Sequence, residues 1–158
     1  MVIQRWQSVL FFIVAVVMAC FTFMSIGQIQ MADYTLDFTT LGFKIEGITT
    51  DGAHGGYLFH TWPFFTVSVL SYILPLVNIF LFKNLKLQKT VCLVEVLLLL
   101  GVIAIACTYV FYNFGGPDSS VSLSSLSIAP VLALVADIMA YNRISHDQRA
   151  LRSADRLR

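Results

Sequence analysis

Four long apolar segments dominate the 158-residue sequence. A helix needs roughly 20 mostly apolar residues to cross the hydrocarbon core of a bilayer, which is about 30 Å thick. The pattern predicts spans at about residues 8–26, 62–82, 91–112 and 126–142, with the fourth starting somewhere between residues 120 and 127. We therefore expect an all-α membrane protein, built as a single four-transmembrane-helix bundle.

The composition excludes the main soluble classes. Apolar residues make up 58% of the chain and charged residues only 12%, whereas a soluble domain has about 45–50% and about 25%. A soluble core of this kind would leave a large apolar surface in water, and a disordered chain has far fewer apolar residues. The net charge of +1 is too small for a nucleic-acid-binding protein. The expected surroundings are a lipid bilayer, with no nucleic acid as partner.

Basic residues predict the orientation. Nine of the ten fall on one side of the predicted spans, and Lys44 alone falls on the other. Positively charged flanks stay in the cytoplasm, so both termini are expected there. A basic residue before an apolar run is also typical of a cleaved signal peptide. However, the run continues to Ile26, past any sensible cleavage site, so we interpret the first span as uncleaved.

Three segments with basic residues resemble a known family. They are residues 3–9 (IQRWQSV), 82–88 (FKNLKLQ) and 151–158 (LRSADRLR). They resemble the small bacterial inner-membrane family labelled domain of unknown function 4293, and the resemblance extends over the whole chain. It implies four helices in a Gram-negative inner membrane, and it implies no assigned activity.

Small and polar residues repeat at helical spacing on each span, and such faces pack against each other in lipid. The second span carries four of them on one face: Ser68, Ser71, Pro75 and Asn78. The fourth span carries a row of alanines beside Asp137: Ala129, Ala133, Ala136 and Ala140. In the third span the predicted packing face carries Gly101, Ala104 and Thr108, and Glu95 lies on the opposite face.

Asn78, Glu95 and Asp137 are predicted to share one depth, about 8–9 Å inside the cytoplasmic boundary at 1.5 Å per residue. Arg5 is the cation closest to them on the first span. One interpretation is a buried clasp in which Arg5 neutralises the acids and Asn78 supplies hydrogen bonds. A second is an acid that reaches the nearby interface. A third is a proton- or cation-linked site, because intramembrane acids often mark such pathways.

The outer loop, residues 27–61, alternates apolar and polar residues at 34–38 and again at 43–46, with Gly42 near the turn between them. This pattern predicts a β-hairpin. Residues 121–124 alternate as well and would make a small three-stranded sheet. The fourth helix would then begin near Ser127, with Pro130 in its first turn. Asp51 and His54 lie among glycines, which indicates a turn, and His60 adjoins the predicted start of the second helix, so we expect no metal site.

The cysteines Cys20, Cys92 and Cys107 all fall within predicted spans and form no CxxC pair. We interpret them as small core residues, which excludes a disulfide framework or thiol redox centre. The tail, residues 143–158, is predicted to continue the fourth span as a helix. Its arginines suit an anionic membrane surface or a docking partner: Arg149, Arg152, Arg156 and Arg158.

No P-loop, HExxH or GxSxG motif is present in the sequence, so we expect no catalytic residues and no cofactor. The favoured hypothesis is a non-enzymatic accessory or scaffold protein that contacts a membrane-protein partner or a second copy of itself. The alternative is a small oligomeric proton- or cation-linked carrier that uses Glu95 and Asp137. A third hypothesis is a membrane enzyme or cofactor-binding protein that uses His54 or His60.

Overall fold

The computed structural model describes residues 2–30, 35–46, 57–114 and 120–156. Four long helices form the body of the protein: α1 (Val2–Phe23), α2 (Trp62–Phe80), α3 (Leu85–Phe114) and α4 (Ala129–Arg156). They form a ring in which α1 and α3 each pack against both α2 and α4. Each of the four contains a stretch that is long and apolar enough to cross a membrane. The four predicted helices are therefore present.

The turn between the second and third helices is tighter than predicted. A 3-10 turn, Leu81–Lys83, follows α2, and α3 begins at Leu85. Six residues that the sequence assigned to a basic loop are therefore the first turns of α3. The end of the bundle where Lys86, Lys89, Arg143 and Arg149 lie is called the basic end below.

Two other helix boundaries also differ. α1 ends at Phe23, because the chain enters a strand at Gly27. α4 follows a 3-10 turn, Ser125–Ile128, and its first turn contains Pro130, where a missing N–H is harmless. The helix continues through the predicted tail to Arg156.

A five-stranded antiparallel sheet covers the opposite end of the bundle, called the sheet end. Its strands are β1 (Gly27–Gln30), β2 (Thr35–Thr39), β3 (Gly42–Glu46), β4 (Tyr57–His60) and β5 (Ser120–Leu123), in the order β4-β3-β2-β1-β5.

The predicted hairpin is confirmed as β2 and β3, where Phe38 pairs with Phe43. The predicted third strand is β5, but it pairs with β1. The sheet is larger than predicted because both flanks of the hairpin also pair. Gly27 permits the close approach of β5, since a Cβ there would lie 2.8 Å from the carbonyl oxygen of Ser122.

Three buried threonines join the sheet to the helices. The Thr40 hydroxyl, in the hairpin turn, donates to the Thr22 carbonyl near the end of α1 at 2.6 Å. The Thr61 hydroxyl, just before α2, donates to the Thr40 carbonyl at 2.7 Å. The end of α1, the hairpin and the start of α2 therefore form one connected unit.

Aromatic rings fill the space beneath the sheet. Phe38 stacks on Phe43 with ring centroids 4.7 Å apart, and on Phe64 of α2 at 6.0 Å. Phe21 of α1 meets Phe64 edge-on at 6.1 Å. All four side chains are almost completely buried. We call Phe21, Phe38, Phe43 and Phe64 the aromatic layer, and it closes the interior at the sheet end.

Candidate functional site

The inner face of α3 is not the predicted one. Ala104 and Thr108 are exposed, and a Cβ added at Gly101 would meet no atom within 4 Å. The buried face carries Gln88, Cys92, Glu95, Leu99 and Val102. Glu95 does lie opposite Gly101, Ala104 and Thr108, as predicted, but the prediction that those three residues form the packing face of α3 was wrong. A carboxylate facing lipid costs at least about 2.5 kcal/mol, which outweighs the packing of a few small residues.

The inner faces of α2 and α4 are those that the sequence predicts. On α2, Ser68, Ser71, Pro75 and Asn78 are all buried. On α4, the buried residues include Ala129, Ala133, Asp137 and Ala140. With Glu95 turned inwards on α3, the two acids face the same interior.

Glu95 and Asp137 meet across the contact between α3 and α4. Both are completely buried, and they are close enough for their charges to interact. Cys92 lies one turn before Glu95 on α3. Its thiol donates a hydrogen bond to Asp137 Oδ1 at 3.1 Å. We call Cys92, Glu95 and Asp137 the acid cluster.

Cys92 was not predicted to belong to a site. It is a buried core residue, as expected, but it also bonds Asp137. Cys20 and Cys107 are exposed, so the same expectation was wrong for them. For Cys92 the available signal was its spacing of three residues from Glu95, which places both side chains on one helix face.

The carboxyl oxygens of the acid cluster have few partners. Within the described parts of the chain, neither carboxyl oxygen of Glu95 has a hydrogen-bond partner, and Asp137 Oδ2 has none either. The described basic side chains form no ion pair with either acid. Burying an ionised carboxylate without compensation costs several kcal/mol. To compensate for this burial, the two carboxyl groups need a proton, a bound cation or water.

Asn78 does not complete the acid cluster. It is buried, but its amide has no hydrogen-bond partner in the described residues. Its backbone carbonyl accepts a long bond of 3.5 Å from Gln88 Nε2. Gln88 precedes Glu95 by seven residues, or about 10 Å along the helix. The prediction that Asn78 lies level with the acids and bonds them was therefore wrong.

The predicted role of Arg5 is not supported by the register of α1 against α4. Gln7 Nε2 donates to Asp147 Oδ2 at 2.5 Å. Asp147 lies ten residues beyond Asp137, or about 15 Å along α4. Arg5 precedes Gln7 in α1 and is therefore still further from the level of Asp137. Its side chain lies outside the described residues.

Two other basic side chains that the structure describes near this end, Lys89 and Arg149, form no ion pair with the acids. Lys89 Nζ lies over the ring of Tyr141, 5.0 Å from its centroid, in a cation–π contact. Arg149 is exposed on α4. Arg152 and Arg156 also belong to α4, and Arg158 lies outside the described residues. The role predicted for these tail arginines stays a prediction.

The glycine-rich turn of the outer loop, with Asp51 and His54, also lies outside the described residues, as does the side chain of His60. In the part of the chain that the structure describes, no group of three His, Cys, Asp or Glu side chains could hold a metal ion.

Comparison with known families covers this whole architecture. Residues 3–157 match the family model described as Domain of unknown function (DUF4293). The chain belongs to this family. Apart from the first residue of α1, all four helices, the sheet and the acid cluster lie inside the matched region. A comparison with curated proteins finds no match. The family description gives no activity, so the function has to be argued from the site.

Proposed function

We propose that this DUF4293 protein crosses the bacterial inner membrane four times, with both termini in the cytoplasm. The outward faces of the helices are apolar, as lipid requires. Trp6 near the basic end and Trp62 at the sheet end are 67% and 63% exposed. Tryptophan favours the two membrane–water interfaces, and basic residues favour the cytoplasmic side. The sheet then lies on the extracytoplasmic side.

This orientation predicts which introduced cysteines react with an external reagent in sealed spheroplasts. With Cys20 and Cys107 replaced by serine, we expect Ser120→Cys on β5 to react with a membrane-impermeant maleimide in spheroplasts. Arg149→Cys on α4 should react only after the membrane is broken. Both positions are exposed. The reverse pattern would contradict the orientation, and equal labelling of both in sealed spheroplasts would contradict membrane insertion.

We further propose that the Glu95–Asp137 pair is the working centre of a small proton- or cation-linked carrier, which assembles as an oligomer. The observation that supports this function is the set of three buried carboxyl oxygens without partners among the described residues. A structural clasp satisfies its polar groups, because unpaired buried groups destabilise the fold. A site that takes up and releases a proton or cation leaves them available instead.

The surroundings of the pair also suit a carrier in a closed state. The aromatic layer covers it towards the sheet end. Towards the basic end, Phe11, Ala140 and Ile144 form a second buried cluster with Cys92. Pro75 lies inside the continuous helix α2, and a proline frees the carbonyl four residues earlier, which permits local bending. Opening would therefore require the helices to shift.

The conservative variants Glu95→Gln and Asp137→Asn separate a carrier from a clasp. We expect the free energy of unfolding of each variant in detergent to exceed that of the wild type by about 1 kcal/mol or more, because an amide carries no charge to bury. The gain should be seen as a higher unfolding temperature. In proteoliposomes with an entrapped pH- or Na⁺-sensitive dye, each should lower the wild-type flux to that of empty vesicles. Asp147→Asn, whose carboxylate bonds Gln7 near the basic end, is the matched control and should retain the flux.

A clasp predicts the opposite result. Removing one partner of a buried ionic contact costs about 3–5 kcal/mol. If both variants lost stability on that scale and the flux stayed at the wild-type value, the carrier proposal would be wrong.

An accessory role is the second candidate, and it has its own support. The α3 face with Gly101, Ala104 and Thr108 faces outwards, and such faces let a second helix approach closely. At the sheet end the edge strand β5 is exposed along its whole length. Both surfaces are available to a partner protein or a second copy, which would act through helix and loop contacts.

The accessory role predicts a stoichiometric partner. Mild detergent extraction from the native membrane, followed by mass spectrometry, should then recover one protein in constant ratio with the chain. Gly101→Ile should abolish this recovery, and Ile138→Ala on the exposed face of α4 should leave it unchanged. Recovery of the chain alone, with Gly101→Ile having no effect, would contradict an accessory role.

A further inference from the structure

The edge of the sheet at β5 has main-chain groups without a partner strand among the described residues. β5 lies at the end of the strand order, beside β1, and all four of its residues are exposed. The Ser124 N–H, just after the strand, donates to the Ile26 carbonyl at 2.9 Å. Main-chain groups in an antiparallel ladder point alternately to the two sides of a strand, so Ser122 also bonds β1. The N–H and C=O groups of Val121 and Leu123 therefore point away from the sheet.

This edge lacks the features that usually prevent strand pairing. Exposed edges favour pairing with another strand, and proteins commonly protect them with charges, prolines or irregular strands. β5 has the sequence SVSL, without a charge or a proline, and its pairing with β1 is regular throughout. The other edge strand of the described sheet, β4, pairs with β3 through a register shift between Phe43 and Lys44. β5 is therefore the edge better suited to a further strand.

The side chains of β5 also suit pairing. Val121 lies opposite the buried Ile29, so its side chain and that of Leu123 point to the helix side of the sheet. They remain 39% and 56% exposed there. The serines of β5 point to the opposite, polar face, where Ser122 lies beside Gln28. A strand added at this edge would meet apolar side chains on one face and hydroxyl groups on the other.

A second copy of β5 fits this edge in an antiparallel register. If Val121 lies opposite Leu123 of the second copy, and Leu123 opposite its Val121, every outward-pointing N–H and C=O of these residues gains a partner. The two apolar residues then face each other on the helix side. On the polar side, Ser122 faces Ser122 of the second copy. The contact is isologous, with its two-fold axis between the two Ser122 residues.

The membrane adds a condition that this contact meets. Two copies that cross the membrane in the same direction are related by a two-fold axis along the membrane normal. Phe38 stacks on Phe64, near the start of α2, and Phe43 meets the ring of Tyr109, near the end of α3. The inner face of the sheet thus lies across helix ends, and its normal runs along the bundle. The axis relating two antiparallel strands is perpendicular to their sheet, so it also runs along the bundle.

We propose that β5 pairs with β5 of a second copy in this register, so that the two sheets become one continuous sheet over a dimer. The partner is therefore this same chain, and not an extended segment of another protein. The inference names the contact of the proposed oligomer, and its symmetry rests on the proposed membrane orientation.

Disulfide formation between copies tests the contact. Opposed residues that share no hydrogen bonds have α-carbons about 4.5 Å apart, which a disulfide can span. With Cys20 and Cys107 replaced by serine, we expect Ser122→Cys in native membranes to give, under mild oxidation, a reducible band of twice the mass of the chain. Ser120→Cys, also exposed on the polar face of β5, is the matched control. Its two copies would lie about 13 Å apart, four residues along the strand, so it should stay a monomer.

A mixed pair of variants tests the register. Ser120 of one copy lies opposite Ser124 of the other. Differently tagged Ser120→Cys and Ser124→Cys chains, expressed together in the same background, should therefore form a linked heterodimer, although neither links to itself.

A proline tests the main-chain bonds. The Val121 N–H points away from β1, so Val121→Pro leaves the bonds between β5 and β1 in place. Added to the Ser122→Cys protein, it should lower the linked fraction at least about tenfold, because proline has no N–H to donate. Val121→Ala keeps the N–H and should retain the link.

The inference is overturned if Ser122→Cys stays monomeric, links no more than Ser120→Cys, or links to a different protein in the native membrane. Linked dimers that Val121→Pro does not reduce would also overturn it, because the contact would then not use the strand edge.

These results are distinguishable from those for the carrier. Linked dimers, together with unchanged flux in Glu95→Gln and Asp137→Asn, would support the β5 contact and contradict the carrier. Unlinked chains, with flux lost in those variants, would support the carrier and contradict the contact. Labelling of Ser120→Cys and Arg149→Cys tests the membrane orientation independently of both.

Discussion

Apolar helices in lipid gain little from burying hydrophobic surface against each other, so the polar and small residues on their inner faces have to hold them together. This constraint fixes the rotation of each helix. The serines and Asn78 of α2 face inwards, as do the alanines and Asp137 of α4. The rotation of α3 is the one that buries Glu95. The rotation of α3 against α4 then brings Glu95 and Asp137 together. The outward faces are left to apolar side chains.

The same constraint explains how much could be predicted from the sequence. On α2 and α4 the polar and small residues lie on one stripe, so the periodicity gives a single answer. On α3 the small residues and Glu95 lie on opposite faces, and the sequence does not decide which of the two faces is buried. Gln88 was missed because it follows lysines that predict a loop. The order of the sheet depends on β1 meeting β5, about ninety residues later in the chain, and no local pattern reveals such a pairing.

The two ends of the interior differ in chemistry, and the site lies between them. At the sheet end, threonine hydrogen bonds and stacked rings join three parts of the chain into a closed unit. At the basic end, buried amides without partners in the described residues lie next to a short turn. The unpartnered carboxyls reduce stability, which is a common feature of sites that serve function.

The account depends most directly on α3 and α4 meeting in the register that places Cys92 against Asp137. A disulfide tests that register with a native cysteine. In the background without Cys20 and Cys107, we expect Asp137→Cys to form a disulfide with Cys92 under mild oxidation, seen as a loss of both free thiols by mass spectrometry. Met139→Cys, on the exposed face of α4, should remain a thiol. If Asp137→Cys stayed reduced while Met139→Cys became linked to Cys92, the acid cluster would not exist as described.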